Sequence, residues 1–322
     1  MNSPLVSVVI PTYNRCEMLR AALESVISQD TDVAYEIVVV DDGSTDHTRQ
    51  VVEELGAGSK VCIRYVCTEQ HGNAEAMNKG VSEASGQWIA CFDDDECAAP
   101  DWLSNLLSVA QAHGAQIVGG AVRLEKAASA LHPVCRGILG EHRHFAVPSI
   151  CTGKKLPGSG NLLISKHVFR AIGLFDTTMK GGGSDRELLL RARSSSYLVW
   201  YAPDAVIVHR MQPHRYTPEY FRWTSLRQGG TLAEIDYKQK RLGWSLLLRL
   251  CYTALVALPL CAIAHLSGNK GRVLGRKTIL WRTAGYIRRT FSLVTAQVLG
   301  SPSTNGATDF RYERQVFRSA IR

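Results

Sequence analysis

Four short apolar runs, separated by segments of helical or loop character, constrain this chain more than any other feature. "VSVVI" at residues 6–10 is β-branched and stops at Pro11, the pattern of a strand buried on both faces. Met18, Leu19, Ala22, Leu23, Val26 and Ile27 recur at helical spacing, which predicts an amphipathic helix over 15–28. "EIVVV" at 36–40 is a second strand running into "DDGSTDHT", where Ser44 or Thr45 is expected to cap the next helix. "VCIRYVCT" supplies a third strand, "NAEAMNKGVSEA" a third helix and "QWIACF" a fourth strand. Strands alternating with helices at this rhythm imply an α/β fold, Rossmann-like, with a mostly parallel sheet flanked by helices.

Polar clusters follow three of these strands: Pro11-Thr12-Tyr13-Asn14, Asp41-Asp42 and Asp93-Asp94-Asp95-Glu96. In open α/β sheets ligands bind at the carboxyl ends of the strands, so the clusters should share one crevice. Asp46 reads equally well as a turn residue. Four consecutive acids are more than a turn requires, and adjacent carboxylates suit a hard divalent cation that also holds phosphate oxygens. Neither GxxxxGK[ST] nor GxGxxG occurs, which argues against a P-loop kinase and a dinucleotide dehydrogenase.

The pieces "VSVVIPTYNR", "EIVVVDDGSTDHT", "ASGQWIACFDDDE", "GSGNLLISKHVFRAIGLFD" and "GGGSDRELLLRARSSSYLVWYAPDAVIVH" occur in an order that resembles family 2 glycosyltransferases of the GT-A fold, over about residues 5–212. The resemblance implies a nucleoside-diphosphate-sugar donor, Mn²⁺ or Mg²⁺, and transfer with inversion at the anomeric carbon. By position, Pro11 and Tyr13 would lie against the nucleoside and Asp42 would face the base, with Asn78 in the same donor site. Asp93 and Asp95 match the ends of the DxD motif, Asp95 as direct metal ligand and Asp93 nearer the ribose or diphosphate, also within the metal's reach. Asp94 should point elsewhere, since alternate side chains of an extended segment leave opposite faces. His209 matches a histidine that completes the metal shell in many GT-A enzymes. The family's usual Glu-Asp is Ser184-Asp185 here, which leaves Asp185 as the expected general base. Gly160 and Asn161 would lie on the acceptor side. Glu187 is a second carboxylate candidate there, and equally a first-turn charge stabilised by the helix dipole.

Beyond residue 212 the character changes. Residues 1–209 carry 18 Lys+Arg against 24 Asp+Glu, whereas residues 210–322 carry 19 against 5. Residues 250–266 are apolar, seventeen positions where a bilayer span needs about 20. Val273, Leu280, Ala284, Ile287, Phe291 and Val294 then fall on one helical face, with Arg272, Arg276, Arg282 and Arg289 mostly away from it. The expected organisation is therefore a GT-A nucleotide-sugar transferase domain at 1–212 and a helical, membrane-associating region at 213–300. A poorly ordered tail should follow at 301–322. A basic amphipathic helix beside an apolar segment points to a membrane surface rather than to nucleic acid, for which no docking motif is present; a helical appendage packing on the catalytic domain is the alternative. Nine irregularly spaced cysteines and no signal-peptide pattern suit a reducing compartment.

These expectations combine into a metal-dependent, hexosyltransferase-like enzyme at the cytoplasmic face of the inner or plasma membrane. It would be peripheral or held by one short hydrophobic segment. The donor would be a UDP-sugar by preference and the acceptor a saccharide or lipid-linked saccharide of polysaccharide or glycolipid synthesis. A degenerate nucleotide-sugar-binding or scaffolding protein of the same fold is the alternative. A processive synthase is disfavoured by "QPHRY" in place of QxxRW, and a nucleotidyltransferase by the lack of a Gly-rich basic loop after the first strand.

Overall fold

The computed structural model describes residues 4–69, 71–125, 128–129, 131–142, 144–153 and 155–299. The tail expected to be poorly ordered, 301–322, lies outside them. The chain divides into two compact units. The first comprises Met1–Glu125, Gly140–Thr177 and Ser184–Arg210; the second takes in Lys126–Leu139, Thr178–Gly183 and the chain from Met211 onward. The two excursions out of the first unit have no signal in a linear reading of the sequence.

In the first unit the chain runs β1 (Val6–Thr12), α1 (Cys16–Ile27), β2 (Tyr35–Asp41), α2 (Thr48–Gly58), β3 (Cys62–Cys67), α3 (Asn73–Glu83), β4 (Trp88–Cys91), β5 (Glu96–Ala98), α4 (Trp102–His113) and β6 (Ile117–Leu124). After α5 (Pro133–Ile138), which belongs to the second unit, come β7 (Ser149–Ile150), β8 (Leu162–Ser165), α6 (Lys166–Ile172), α7 (Ser184–Ser194) and β9 (Val199–His209). The sheet order is β3-β2-β1-β4-β8-β6-β9-β5, with β7 also on β9. β3, β2, β1 and β4 are mutually parallel, as the β-α alternation predicts. β8 enters antiparallel between β4 and β6, and β9 pairs parallel with β6 but antiparallel with β5 and β7. The sheet is thus mixed, with most of its paired residues in parallel register.

Both faces of the sheet are covered, which is why β1 and β2 are almost wholly apolar. Successive side chains of β1 alternate between two cores. Val8 and Ile10 pack with Leu19 and Leu23 of α1 and with Trp102 and Leu103 of α4, whereas Val9 packs with Met77 and Val81 of α3. The chain leaves β1 toward β2 and β3, then returns to β4 on β1's other side. A crevice opens at such a reversal, beyond the carboxyl ends of β1 and β4.

One local expectation needs correction. α2 begins at Thr48, not beside Ser44 or Thr45. Ser44 Oγ instead accepts from the Asn14 N–H, and the Thr45 N–H donates to Asn14 Oδ1. Asp46 does the tying: it accepts from the N–H and hydroxyl of Thr48 and from the Cys16 N–H at the start of α1.

The second unit holds α5, α8 (Pro218–Lys238), α9 (Leu242–Tyr252), α10 (Leu258–Leu266) and α11 (Lys270–Leu299). A π-helical turn at Thr253–Ala257 joins α9 to α10. α8 and α11 approach closely: a Cβ added at Gly229 would stand 2.0 Å from the Arg282 carbonyl oxygen, and one at Gly285 2.0 Å from that of Leu226. Only glycine permits such a crossing. Arg289 pairs with Glu234 across it at 2.6 Å, and the Tyr286 hydroxyl donates to Asp236 at 3.0 Å. The face of α11 that is buried is therefore the one bearing Gly275, Thr278, Gly285, Tyr286 and Leu293. From the apolar stripe seen in the sequence, Ala284, Phe291 and Val294 are exposed.

Candidate active site

Around the crevice each acid of the Asp93–Glu96 cluster has a separate environment. Asp94 is buried, accepting from the Thr12 hydroxyl at the end of β1 at 2.8 Å and from Arg15 Nη1 at 2.8 Å. The same Arg15 nitrogen reaches Asp95 Oδ2 at 2.9 Å. The other oxygen of Asp95 lies 3.2 Å from His209 Nε2. That pair exists because β5 and β9 run antiparallel with Glu96 opposite His209, and because the Arg210 N–H donates to the Asp95 carbonyl. Glu96 is buried beneath Gly160, where a Cβ would stand 2.3 Å from its carboxylate. It also accepts the Asp93 N–H at 3.3 Å.

Two of these carboxyls, Asp93 and Glu96, hold protons more tightly than usual. Burial, then the charge of Asp95, raises Asp93 from 3.8 to about 7, with Asp94 and Asp185 adding and His209 opposing. Burial, then Asp93 and Asp95, raises Glu96 as well. The cluster carries a strong demand for positive charge.

Asp185 stands in the first turn of α7, whose inward positions Leu188, Leu189 and Ala192 fix the helix on the core. Its Oδ2 accepts the Ser159 N–H at 3.2 Å. Its charge adds to the raising of Asp93, and the Ser159–Gly160 loop it holds lies against Glu96 of the cluster. The loop carrying Ser159 and Gly160 is held by His142, whose Nε2 accepts the Gly158 N–H at 3.3 Å. Burial, with His144 nearby, pushes His142 down to about 4, which keeps that nitrogen an acceptor. Arg15, Glu96 and His142 are site residues that sequence reasoning did not assign. Arg15 had one usable signal, a cation placed between the end of β1 and the start of α1, on the sheet edge where β4 also ends in its carboxylate cluster.

The remaining expected residues divide. Tyr13 is half-buried directly after β1. Asp42 organises the turn after β3, accepting from the Thr68 hydroxyl at 3.0 Å and from the His71 and Gly72 N–H groups at 2.8 and 2.9 Å. Pro11 is buried within β1 opposite Val40. Asn78 exchanges two hydrogen bonds with the Phe175 backbone, at 2.8 and 2.9 Å, so both ends of its amide serve the fold. Asn161 is fully buried: its oxygen accepts from Trp102 Nε1 and its nitrogen donates to the Ala121 and Ala205 carbonyls. That amide is not presented to an acceptor. Glu187 forms a two-point pair with Arg191, which also binds the Ile172 and Leu174 carbonyls, the first-turn structural role.

The donor set suits a hard divalent cation. Asp95 and His209 offer an oxygen and a nitrogen 3.2 Å apart, a separation two ligands of one ion can adopt, and Asp93 adds a carboxyl alongside. Among the described residues no group of three such side chains converges as a ready-made cage, so further ligands would come from the substrate or water.

Residues 7–146 match the model of "Glycosyl transferase family 2". Glycosyltransferase AglE of Haloferax volcanii is 27% identical over 216 residues, 65% of this chain and 68% of that protein. An uncharacterized protein, y4gI, of Sinorhizobium fredii is 29% identical over 262 residues, 74% of this chain; the chain spans only 28% of that protein's length. Among solved structures, the mannosyltransferase PcManGT of Pyrobaculum calidifontis, in complex with GDP-Man and Mn²⁺, superposes with a TM-score of 0.65 at 18% identity, covering 90% of this chain and 88% of that one. This likeness shows the fold to be GT-A.

Proposed function

From the match of residues 7–146 to the family 2 glycosyltransferase model, we propose that this chain is such an enzyme and moves a sugar from a nucleoside-diphosphate sugar to an acceptor hydroxyl with inversion. The observation that carries the reading is that the Ser159–Gly160 loop joins Asp185, bonded to the Ser159 N–H, to the acidic cluster, whose Glu96 carboxylate lies directly against Gly160 in the same unit. The donor diphosphate lies on the cluster side, with the nucleoside near Tyr13 and the Asp42 turn. The acceptor enters on the side of the Ser159–Gly160 loop and Asp185. Asp185 accepts the acceptor's proton as that oxygen attacks the anomeric carbon. The bond from that carbon to the diphosphate oxygen breaks on the opposite face, and the nucleoside diphosphate departs. The Ser159 N–H, bonded to Oδ2, and the first turn of α7 fix the orientation of the Asp185 carboxyl.

A divalent cation held by Asp95 and His209, with Asp93 beside it, would supply neutralisation of the developing diphosphate charge. Arg15, already between Asp94 and Asp95, orients the Asp95 carboxylate and offsets part of the cluster's charge. The acceptor in this reading is a saccharide, carried on a lipid at the cytoplasmic face of a membrane. Uridine is the favoured donor base, and GDP-sugars are the first comparison to run.

The test is a thermal-shift panel of UDP-, GDP-, dTDP- and CMP-sugars with and without Mn²⁺, followed by transfer assays on the nucleotide that binds. Binding to the folded state alone raises its melting temperature. Asp95→Asn should lose the Mn²⁺-dependent rise. Asp185→Asn should keep it while turnover falls by about 10²-fold or more. Near-normal turnover in Asp185→Asn would refute the base assignment. Absence of any nucleotide shift in a folded protein would favour the scaffolding alternative.

A further inference from the structure

The helical run Leu242–Leu266 is 25 residues long, with a mean hydropathy of 2.1 over its most apolar window. A core helix of such composition would be covered, yet only 11% of that window is buried. Its inward side packs along α11: the Thr253 and Thr283 hydroxyls meet at 3.0 Å, and Arg249 lies 4.3 Å from the Tyr286 ring centroid. Arg249 also faces Asp236 at 4.0 Å. The one charged residue within the run is thus turned onto the protein. What faces outward is apolar over about 37 Å of helix: Trp244 (72% exposed), Leu247, Leu248, Leu255 (77%), Leu258 and Ile263.

We propose that this face docks in the plane of an anionic lipid bilayer, its side chains in the outer hydrocarbon and its flanks among the headgroups. The flanks carry the complementary charge, with Lys238, Lys240 and Arg241 exposed before the run and Lys270 and Arg272 exposed after it. A spanning arrangement conflicts with the packing. α11 lies alongside, and crossing the bilayer would draw Arg282, Arg288 and Arg289 into hydrocarbon next to Thr253 and Arg249. An in-plane helix keeps those cations on the protein side. A second copy of the chain could also cover an apolar face, but like-charged flanks disfavour that pairing. The inference stands apart from the transfer chemistry, since it concerns only the second unit.

The experiment uses the full chain with vesicles of phosphatidylcholine, with and without phosphatidylglycerol, read by flotation and by tryptophan fluorescence. Wild-type protein should float with the anionic vesicles and release partly at high salt. Its emission should shift blue and be quenched more by lipids brominated near the headgroup than by lipids brominated near the bilayer centre. Trp244→Phe should remove most of that quenching. Leu247→Glu and Leu255→Glu alter exposed positions, so the fold should persist, and each should weaken partitioning by about tenfold or more. Stronger quenching from the bilayer centre would overturn the in-plane arrangement. Failure to float, with a dimer in sedimentation velocity that the same glutamates dissociate, would reassign the face to self-association. Failure to float without a dimer would overturn the proposal outright.

Discussion

Asp93 offers the most direct physical test of the acidic cluster. Its carboxyl is raised from 3.8 to about 7 by burial and then by Asp95. The folded protein therefore binds a proton that the unfolded chain has released, and stability without metal must fall as pH rises toward and through about 7. Integrated between pH 5 and 8 for this one group, the loss comes to roughly 2–3 kcal/mol. That corresponds to roughly 5–10 °C in melting temperature for a unit of this size. Asp93→Asn removes the charge and should flatten the decline, leaving the variant more stable than wild type at pH 8 without metal. A bound cation takes the proton's place, so Mn²⁺ should stabilise wild type more at pH 8 than at pH 5 and Asp93→Asn less at either. Thermal denaturation in chelator and in Mn²⁺ across that range measures both effects. If wild type in chelator is as stable at pH 8 as at pH 5, or if Asp93→Asn declines as steeply, the claim that Asp93 is buried without a compensating charge is wrong.

Two substitutions test the scaffold. Asn161→Ala would strand the Trp102 indole N–H and two buried carbonyls, and should cost roughly 3 kcal/mol in chemical denaturation. A cost below about 1 kcal/mol would mean water or a neighbour replaces the amide. Gly229→Ala would press a methyl group onto the Arg282 carbonyl and should destabilise the second unit by about 2 kcal/mol or more. Unchanged thermal unfolding by circular dichroism would show the crossing to be looser than 2.0 Å implies.

The readable part of this protein is the part whose signals are local. β1 to β4 each announce themselves within a dozen residues, and their polar ends identify the crevice before any coordinate is known. Long-range pairing was not readable. The antiparallel β5–β9 ladder brings His209 to Asp95, a pairing that only the family resemblance anticipated, since nothing around residue 209 encodes that register. Asn78 and Asn161 looked like ligand-facing amides because sequence cannot tell a backbone carbonyl 97 residues away from a substrate. The apolar surface also extends beyond the apolar stretch of the sequence at 250–266. Arg249 broke it at 250 in the sequence, whereas the structure folds that arginine onto Tyr286 and the outward apolar face begins near Leu242.

The four consecutive acids are best understood as four different answers to one cost. Asp94 satisfies its charge internally, through the Thr12 hydroxyl and Arg15, and so ties the end of β4 to the end of β1. Glu96 is shut beneath Gly160, its proton affinity raised by burial, and supports the loop whose Ser159 N–H bonds Asp185. Asp95 is divided between Arg15 and His209, one oxygen to each, a geometry that leaves it oriented whether or not a cation arrives. Asp93 has no such arginine, and its raised proton affinity records the charge still owed to it. A run of four carboxylates would be prohibitive if all were alike. Two are structural, one is held in place, and one keeps its proton affinity raised, so the fold tolerates the cluster's own repulsion, and in the proposed reaction a cation arriving with the donor would supply the remaining positive charge.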